Sequence, residues 1–216
     1  MLTTVLFDLD DTLTDAAHFG ASTLVRAAEE RGHALSVPEI QQYPGVAYLP
    51  LVQQLLGVPG HEAAAIYARY VALYRDTMHE LRAQSGATEL LRALAERGVR
   101  MALVTNKLEA LAREIVDAQR WSSYLPAIVG VDSSPYRKPD PALVRHALEV
   151  LGGVSTEAAA VGDSVDDMAG ASGAGVPLVL GMLVTTPAER LRAAGATHLC
   201  ADLHEARALL LERASA

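Results

Sequence analysis

Residues 3–12 read TTVLFDLDDT, and this stretch decides the fold. Residues 3–7 form a short, mostly apolar run that predicts a buried strand, and acidic residues follow it directly. Because side chains two apart on an extended chain point the same way, Asp8 and Asp10 emerge together while Leu9 turns back toward the core. A turn or a helix cap explains one such Asp, but not a cluster of them. Two carboxylates this close repel each other unless a cation or a shared proton relieves the repulsion.

Four further apolar runs are each closed by a polar residue or a glycine: residues 100–104, 127–131, 158–161 and 177–180. Segments with helical spacing lie between them, for example residues 108–118 and 141–151. Strands that alternate with helices predict a parallel sheet covered on both faces, so the expected fold class is α/β. Residues 198–200, followed by a helical tail at 203–213, predict an additional edge strand.

The interval between the first two strands, residues 8–99, is far longer than a crossover connection needs. It contains stretches with helical spacing, separated by glycine and proline, at residues 18–32, 37–43, 49–56 and 61–82. We therefore expect an inserted helical lobe at residues 16–82, between the two parts of a core made of residues 1–15 and 83–216. The alternative is a single domain with a long helical excursion.

The chain has 216 residues, half of them hydrophobic, which suits one substantial core and a small second lobe but not three domains. Its formal net charge of −8 argues against a non-specific grip on nucleic acid or on an anionic membrane surface. Only two of its cationic residues are lysines, Lys107 and Lys138. A partner that carries phosphate must therefore be held by local charges.

Cys200 is the single cysteine, so the chain can form neither an internal disulfide nor a thiolate cluster for zinc. A reducing, cytoplasmic compartment is the expectation. The N-terminal residues have no basic flank and soon reach carboxylates, so we expect no signal peptide. No apolar run approaches the length that spans a bilayer. We expect a monomer or a weak dimer. The expected binding partner is a small molecule.

A second acidic cluster, GDSVDD at residues 162–167, also follows an apolar run directly. Asp163 and Asp167 are four residues apart, so they share one face if a helix starts here. Taken alone, the cluster is explained equally well by helix capping and by compensation of the helix dipole. Together with Asp8 and Asp10 at another strand end, it supplies the hard oxygen ligands that Mg²⁺ prefers.

Two further strand ends carry groups that suit a phosphate. Thr105, Asn106 and Lys107 follow the second strand and offer a hydroxyl, an amide and backbone N–H groups, although an ordinary helix N-cap is the simpler explanation of these residues alone. Lys138 lies in RKPDP, residues 137–141, a loop stiffened by proline. Its ammonium could neutralise a phosphate or a carboxylate there, whereas a lone loop lysine is usually just solvated.

The order of these four strand-end motifs resembles that of the haloacid dehalogenase-like hydrolase superfamily. The pattern is an Asp-x-Asp-x-Thr strand end, a Ser or Thr strand end, a loop Lys and a Gly-Asp-x-x-x-Asp strand end, here residues 8–12, Thr105, Lys138 and residues 162–167. The resemblance spans nearly the whole chain and extends to the branch of phosphoglycolate phosphatase-like and β-phosphoglucomutase-like members with a helical cap. It implies an α/β fold in which a Rossmann-like parallel sheet core carries an inserted α-helical cap domain. Asp11 stands where many relatives have Gly, and Asp tolerates a tight turn.

The resemblance implies a Mg²⁺-dependent phosphatase for a small-molecule phosphate monoester, such as phosphoglycolate or a sugar phosphate. Asp8 would be the nucleophile that forms an aspartyl phosphate. Asp10 would protonate the leaving oxygen and then serve as base for the hydrolytic water. Lys138 would be the third catalytic residue.

The resemblance also assigns the ligands of the metal and of the phosphate. Mg²⁺ would be held by the two acidic motifs, through Asp8, the backbone carbonyl of Asp10, Asp163 and, directly or through a water, Asp167. The other two motifs would bind the phosphoryl oxygens through Thr105, the backbone of Asn106 and Lys138. Asp167 would in addition orient Lys138.

Several other activities are found on the same fold. Dehalogenation is disfavoured because Asp10 is present and displacing a halide needs no proton donor. A phosphonoacetaldehyde hydrolase forms a Schiff base through a cap lysine, and residues 16–82 contain no lysine. A phosphomutase of the β-phosphoglucomutase type stays open, because it uses the same core. A non-catalytic phosphate-binding protein is expected to have lost a motif, and none is lost here.

Substrate choice is expected to lie in the cap, at residues 43–50, YPGVAYLP, which resembles the glycine-containing cap segment of the same branch. The segment is uncharged and contains Tyr43 and Tyr48, so it favours a hydroxyl-bearing or partly apolar leaving group over a second phosphate. The alternative is that these residues only pack the core of the cap. Of the cap histidines, His18 is the candidate for a substrate contact, since it follows the first linker directly.

Overall fold

The computed structural model describes residues 1–43 and 45–214. Within these residues, six strands form one parallel sheet in the order β3-β2-β1-β4-β5-β6. The strands are β1 Thr4–Phe7, β2 Arg100–Val104, β3 Ala127–Val129, β4 Ala158–Gly162, β5 Leu178–Met182 and β6 His198–Cys200. The predicted α/β class with a Rossmann-like parallel sheet is confirmed. Pro44, which belongs to the segment 43–50, lies outside the described residues, as do residues 215 and 216.

The helices surround this sheet, and five of them lie between β1 and β2. They are α1 Ala17–Glu29, α2 Val37–Gln41, α3 Tyr48–Leu56, α4 Gly60–Thr77, α5 Ala87–Glu96, α6 Glu109–Ala118, α7 Pro141–Leu151, α8 Val165–Gly173, α9 Ala188–Ala193 and α10 Leu203–Ala214. We call residues 16–82, which contain α1 to α4, the helical insert. In the part of the chain that the structure describes, no helix combines the length and the apolar character needed to cross a membrane.

Strand β1 lies in the middle of the sheet and determines where the strand ends meet. Phe7 pairs with Leu103 of β2 on one side and with Val161 of β4 on the other. The backbone N–H of Asp8 continues this ladder by donating to the carbonyl of Val161 at 2.9 Å. Because all strands are parallel, the segments that follow β1, β2 and β4 emerge at the same edge, where open α/β folds bind their ligands.

The alternation of side chains along β1 separates two apolar layers. Val5 and Phe7 point to the face covered by α5, α6, α10 and part of the helical insert. Leu6 points to the opposite face, which α7, α8 and α9 cover. Both faces of the strand are therefore buried, as expected for a parallel sheet covered by helices on each side.

The helix predicted at residues 61–82 proves too long. Helix α4 ends at Thr77, whose hydroxyl donates to the carbonyl of Leu73 at 2.9 Å, and a 3₁₀ turn follows. Such a side-chain bond competes with the backbone bonds of a helix. Beyond the turn, Ala83 pairs with Thr14 in an isolated antiparallel bridge. The two linkers of the helical insert therefore meet at its base.

Strand β3 is also shorter than the predicted run at residues 127–131. It ends at Val129, because the N–H of Gly130 donates to the hydroxyl of Ser133 at 2.7 Å and the chain turns there. This turn begins the loop that carries Lys138.

The helical insert has an aromatic cluster, made of Phe19, Tyr48, Tyr67, Tyr70 and Tyr74. Its ring centroids lie 4.8 to 5.6 Å apart in successive pairs, mostly edge to face. Aromatic pairs with this geometry stabilise a core beyond the area that they bury. The cluster fixes α1, α3 and α4 to one another, and it faces the carboxyl edge of the sheet.

Candidate active site

A cavity of about 420 Å³ lies between the carboxyl edge of the sheet and the helical insert. The side chains on the sheet side come from the segments after β1, β2, β3, β4 and β5. Those predicted from the sequence are Asp8, Asp10, Thr105, Asn106, Lys138 and Asp163. The structure thus brings residues that are far apart along the chain to one cavity. Asp167 lies directly behind it, in contact with Lys138.

Lys138 connects two of the acidic motifs. Its Nζ donates to Oδ1 of Asp8 at 2.6 Å and to Oδ1 of Asp167 at 2.5 Å, and the residue is only 5% exposed. Burial lowers the pKa of Lys138, but the carboxylates of Asp167 and Asp8 outweigh this and hold the pKa above its ordinary value. The ammonium therefore stays charged. Lys138 is buried and paired, so it is not a solvated surface lysine.

Asp8, Asp163 and Asp167 form a buried group of carboxylates, each with an oxygen within 4.8 Å of the others. Burial raises the pKa of Asp8 well above its ordinary value, Lys138 opposes this, and the neighbouring carboxylates add to it. Burial, and then Asp167, likewise raises the pKa of Asp163. Three carboxylates lie around one ammonium, so the group has an excess of negative charge that a divalent cation would neutralise. Its hard oxygen donors are those that Mg²⁺ takes.

Asp167 is also the third residue (N3) of helix α8 and forms a capping box with the N-cap residue Ser164. Its Oδ2 accepts from the backbone N–H of Ser164 at 3.0 Å and from the Ser164 hydroxyl at 2.6 Å, while its own N–H donates to that hydroxyl. Gly162 makes room for it, because a Cβ there would lie 2.5 Å from the Asp167 side chain. The capping bonds hold Oδ2 of Asp167 at the start of the helix, and this orients its other oxygen, Oδ1, toward Lys138.

Two hydroxyls hold Asp163 in place. Thr185, in the loop after β5, donates to Oδ2 at 2.5 Å, and Thr12 lies 3.4 Å from Oδ1. Thr185 also lines the cavity. Sequence reasoning missed Thr185, since a threonine in a loop after the fifth strand carries no motif.

Asp11 forms the turn that follows Asp10. It has a positive φ of 61°, its N–H donates to the carbonyl of Thr14 at 2.8 Å, and its Oδ1 accepts from the N–H of Ala16 at 3.0 Å. Asp is among the residues that tolerate this left-handed conformation. Asp11 is therefore accommodated at this turn, and its carboxylate ties the turn to the start of the helical insert.

Asp10 forms an ion pair with Lys107. Lys107 Nζ lies 2.9 Å from Oδ2 of Asp10, while the buried Oδ1 of Asp10 has no hydrogen-bond partner among the described residues. The carboxylate of Asp10 is not part of the buried acidic group, so only its backbone carbonyl is available as the expected metal ligand. Sequence reasoning placed Lys107 at this edge but did not find the pair.

Both polar atoms of the Asn106 side chain form hydrogen bonds within the protein. Its Oδ1 accepts from the N–H of Lys138 at 3.1 Å, and its Nδ2 donates to the carbonyl of Gly45 in the helical insert at 2.8 Å. Only its backbone is left for a phosphate, as the prediction states. The buried hydroxyl of Thr105 accepts from the N–H of Lys107 at 3.2 Å and lines the cavity.

The helical insert supplies the opposite wall of the cavity. The predicted residues Tyr43 and Tyr48 line it, and so do Tyr67 and Tyr70 of α4, which sequence reasoning missed. Helical spacing in α4 indicates a buried face but not what that face meets. His18 is exposed and lies outside the cavity lining among the described residues.

Comparisons with known proteins show what the chain is similar to. A family model described as haloacid dehalogenase-like hydrolase matches residues 5–180, which contain every predicted site residue. The chain is 32% identical to a phosphoglycolate phosphatase of Caulobacter vibrioides, over 96% of this chain and 92% of that protein. It is 34% identical to a phosphoglycolate phosphatase of Rhodospirillum rubrum, over 82% of this chain and 78% of that protein.

Solved structures share the fold. A crystal structure of a predicted phosphatase from Clostridium acetobutylicum superposes with a TM-score of 0.86, over 98% of this chain and 99% of that chain. The two sequences are 23% identical, so the likeness concerns the fold alone.

Proposed function

Because this chain belongs to the haloacid dehalogenase-like hydrolase family, we propose that it is a Mg²⁺-dependent phosphatase for a small-molecule phosphate monoester. The observation that carries the proposal is the buried group in which Lys138 bridges Asp8 and Asp167 beside Asp163. An ammonium fixed at a strand end can bind phosphoryl oxygens, and the carboxylate next to it can attack phosphorus.

The proposal divides the chain into a catalytic core, residues 1–15 and 83–216, and a cap, residues 16–82. Backbone hydrogen bonds between the two linkers support this division. The N–H of Asp15 donates to the carbonyl of Arg82, and the N–H of Gln84 donates to that of Leu13, each at 2.9 Å. A unit attached at one place can hinge over the cavity and exclude water while the substrate is bound.

The first step transfers the phosphoryl group to the protein. A carboxylate oxygen of Asp8 attacks phosphorus, and the bond between phosphorus and the leaving oxygen breaks. The leaving oxygen keeps the electron pair and takes a proton from Asp10, so that an alcohol departs and Asp8 carries an aspartyl phosphate. The placement of Asp8 and Asp10 on the same side of one extended segment supports this division of roles.

The second step returns the protein to its starting state. Asp10, now a carboxylate, accepts a proton from a water whose oxygen attacks the phosphorus of the aspartyl phosphate. The bond between phosphorus and the Asp8 oxygen breaks, inorganic phosphate leaves, and the Asp8 carboxylate and the protonated Asp10 are restored.

The remaining motif residues bind charge. The phosphoryl oxygens are bound by the Thr105 hydroxyl, the Asn106 backbone and Lys138. The proposed ligands of Mg²⁺ are Asp8, the backbone carbonyl of Asp10, Asp163 and, directly or through a water, Asp167. Bound there, Mg²⁺ supplies the positive charge that lets an anionic carboxylate approach an anionic phosphate.

The substrate we propose is a small metabolite phosphate, such as phosphoglycolate or a sugar phosphate. A cavity of about 420 Å³ has the size of a small-molecule site. The tyrosines of its insert wall suit a leaving group that is hydroxyl-bearing or partly apolar. The names of the relatives favour phosphoglycolate.

The test is phosphate release from p-nitrophenyl phosphate, first in EDTA and then with Mg²⁺ added, followed by a panel of metabolite phosphates compared by kcat/KM. We expect release that requires Mg²⁺. A folded protein that binds phosphate esters and releases no phosphate from any of them overturns the proposal. A sugar phosphate that is isomerised with its phosphate retained identifies a phosphomutase instead.

A further inference from the structure

Lys107 is a buried cation that the proposed chemistry leaves without a task. The side chain is 7% exposed, against 35% for that of Asp10, its ion-pair partner. Its backbone is fixed on both sides, because its N–H donates to the hydroxyl of Thr105 and its carbonyl accepts from the N–H of Val131 at 3.0 Å. The ammonium therefore reaches Asp10 from a rigid support.

The helical insert holds Lys107 from the other side. Lys107 Nζ lies 4.3 Å from the ring centroid of Tyr74, which is buried in the aromatic cluster of the helical insert. An ammonium over the face of an aromatic ring is attracted to it, and more strongly when water is excluded. Lys107 thus connects a carboxylate of the sheet edge with an aromatic ring of the insert.

The carboxylate of Asp10 depends on this contact for its orientation. Its Oδ1 is buried without a partner among the described residues, so Oδ2, the oxygen bound to Lys107, is the one left to face the cavity. Without Lys107, no described residue would bind this carboxylate, and packing alone would restrain its rotation. Proton transfer requires the acid within hydrogen-bond reach of the leaving oxygen, so rotation would cost activity.

We propose that Lys107 is a positioning residue, which holds Asp10 in the orientation for proton transfer and, through Tyr74, makes that orientation depend on the position of the helical insert. This inference rests on the proposed function. Lys138 contacts Asp8 and Asp167 and is the proposed phosphoryl ligand, whereas Lys107 contacts Asp10, the residue proposed to protonate the leaving oxygen.

The experiment uses the dependence of activity on the leaving group. Dinitrophenolate departs without a proton, whereas the alcohol released from 2-hydroxyethyl phosphate needs one. We therefore expect Lys107→Met to lower kcat/KM by about 10- to 100-fold on 2-hydroxyethyl phosphate and by less than about 3-fold on 2,4-dinitrophenyl phosphate. The ratio kcat/KM is the correct readout, because it reports the steps up to release of the leaving group.

Three comparisons sharpen this test. Asp10→Asn is expected to give the same leaving-group signature, and Lys107→Met is expected to add little in the Asp10→Asn background. Lys107→Arg, which keeps a cation, is expected to recover part of the loss. Arg92→Met removes a charge from the exposed surface of α5 and is expected to leave kcat/KM unchanged on both esters.

Two results with an active wild-type protein overturn the inference. An equal loss on both substrates shows that Lys107 acts only on the structure. A loss confined to phosphoglycolate, when it is compared with 2-hydroxyethyl phosphate, shows that Lys107 binds the substrate carboxylate instead. The failure of the proposed function is a different observation, namely a wild-type protein that hydrolyses none of these esters.

Tyr74 gives a second, independent variant pair. Tyr74→Phe keeps the ring under Lys107 and is expected to preserve both activities. Tyr74→Leu removes the ring, and we expect a loss of about 3- to 10-fold in kcat/KM that appears on 2-hydroxyethyl phosphate only. A folded Tyr74→Leu protein with unchanged activity on both esters contradicts the link to the insert.

Discussion

The two walls of the cavity differ in how their side chains are held. The sheet wall presents buried charges, Asp8, Asp163 and Lys138, which are fixed by strand ends and by one another. The insert wall presents tyrosine rings and a glycine loop, and its described lining residues are all uncharged. Under the proposed function, the sheet wall performs the reaction for any ester, while the insert wall selects among esters. Changes in the two walls should therefore differ in kind as well as in size.

The largest effect is expected from a change of Asp8, the proposed nucleophile. Asp8→Asn removes the attacking oxygen while nearly preserving shape, so kcat/KM should fall by about 10³-fold or more on every ester tested. The measurement is steady-state phosphate release on a panel of metabolite phosphates. Asp76→Asn, the same change on the exposed surface of α4, is the matched control and should be silent. Retention of wild-type activity by Asp8→Asn would sink the nucleophile assignment.

A loss of about 10²-fold or more is expected when Mg²⁺ is removed or when Asp163 is replaced by Asn. Thermal unfolding distinguishes the removal of Mg²⁺ from the replacement of Asp163. Mg²⁺ should raise the melting temperature of the wild type, because a ligand that binds only the folded state stabilises it. In EDTA, Asp163→Asn should be at least as stable as the wild type, because one of three mutually repelling carboxylates is gone. An unchanged Mg²⁺ shift in Asp163→Asn contradicts the ligand assignment.

A middle-sized effect is expected where the two walls touch. Gly45 has a φ of 77°, and a Cβ there would lie 2.7 Å from the hydroxyl of Ser164. Gly45→Ala should therefore hold the insert away from the sheet and lower kcat/KM by about 10-fold, by an amount that varies with the ester. Gly57→Ala carries a similar backbone strain at φ 62° with open space around it, and it should change stability but not activity. Equal effects of the two variants on activity would refute a role for closure.

The smallest effect concerns an ion pair that joins the walls at the surface. Arg75 of α4 binds Glu114 of α6 through two nitrogens, with Nε–Oε2 and Nη2–Oε1 both at 2.8 Å. Because exposed pairs contribute about 0.2–1 kcal/mol, Arg75→Gln should change kcat/KM by less than about 5-fold and open the insert slightly in solution scattering. Arg69→Gln breaks a similar exposed pair with Glu30 inside the insert and should change neither. Identical scattering of both variants would remove the pair from any account of closure.

The sheet wall was largely predictable from the sequence, and the physical reason is the parallel sheet. Once strands are recognised, parallel pairing places their carboxyl ends at one edge, so Asp8, Thr105 and Asp163 had to lie near one another. Lys138 was predicted as well, since it follows β3. What the sequence did not provide was the direction of each side chain, such as the turn of Asp10 toward Lys107.

The insert wall was predicted only in part. Tyr43 and Tyr48 were found because they flank a glycine in a recognisable segment, whereas Tyr67 and Tyr70 belong to a helix whose periodicity indicates burial without indicating a partner. The end of α4 at Thr77 was missed for a similar reason. Its termination comes from a local side-chain bond and from the return of the chain to Thr14, which helical spacing does not register.

The bridge between Thr14 and Ala83 has a consequence for how this protein can change over time. A segment whose ends are already joined by the rest of the fold adds little closure entropy when its length changes, because that cost grows only slowly with length. Residues 16–82 are attached in this way, so a change in the length of this segment adds little closure entropy to the folding of the sheet. The same sheet core can therefore carry inserts of different length. The specificity proposed to lie in the insert can then change while the residues at the carboxyl edge of the sheet stay the same.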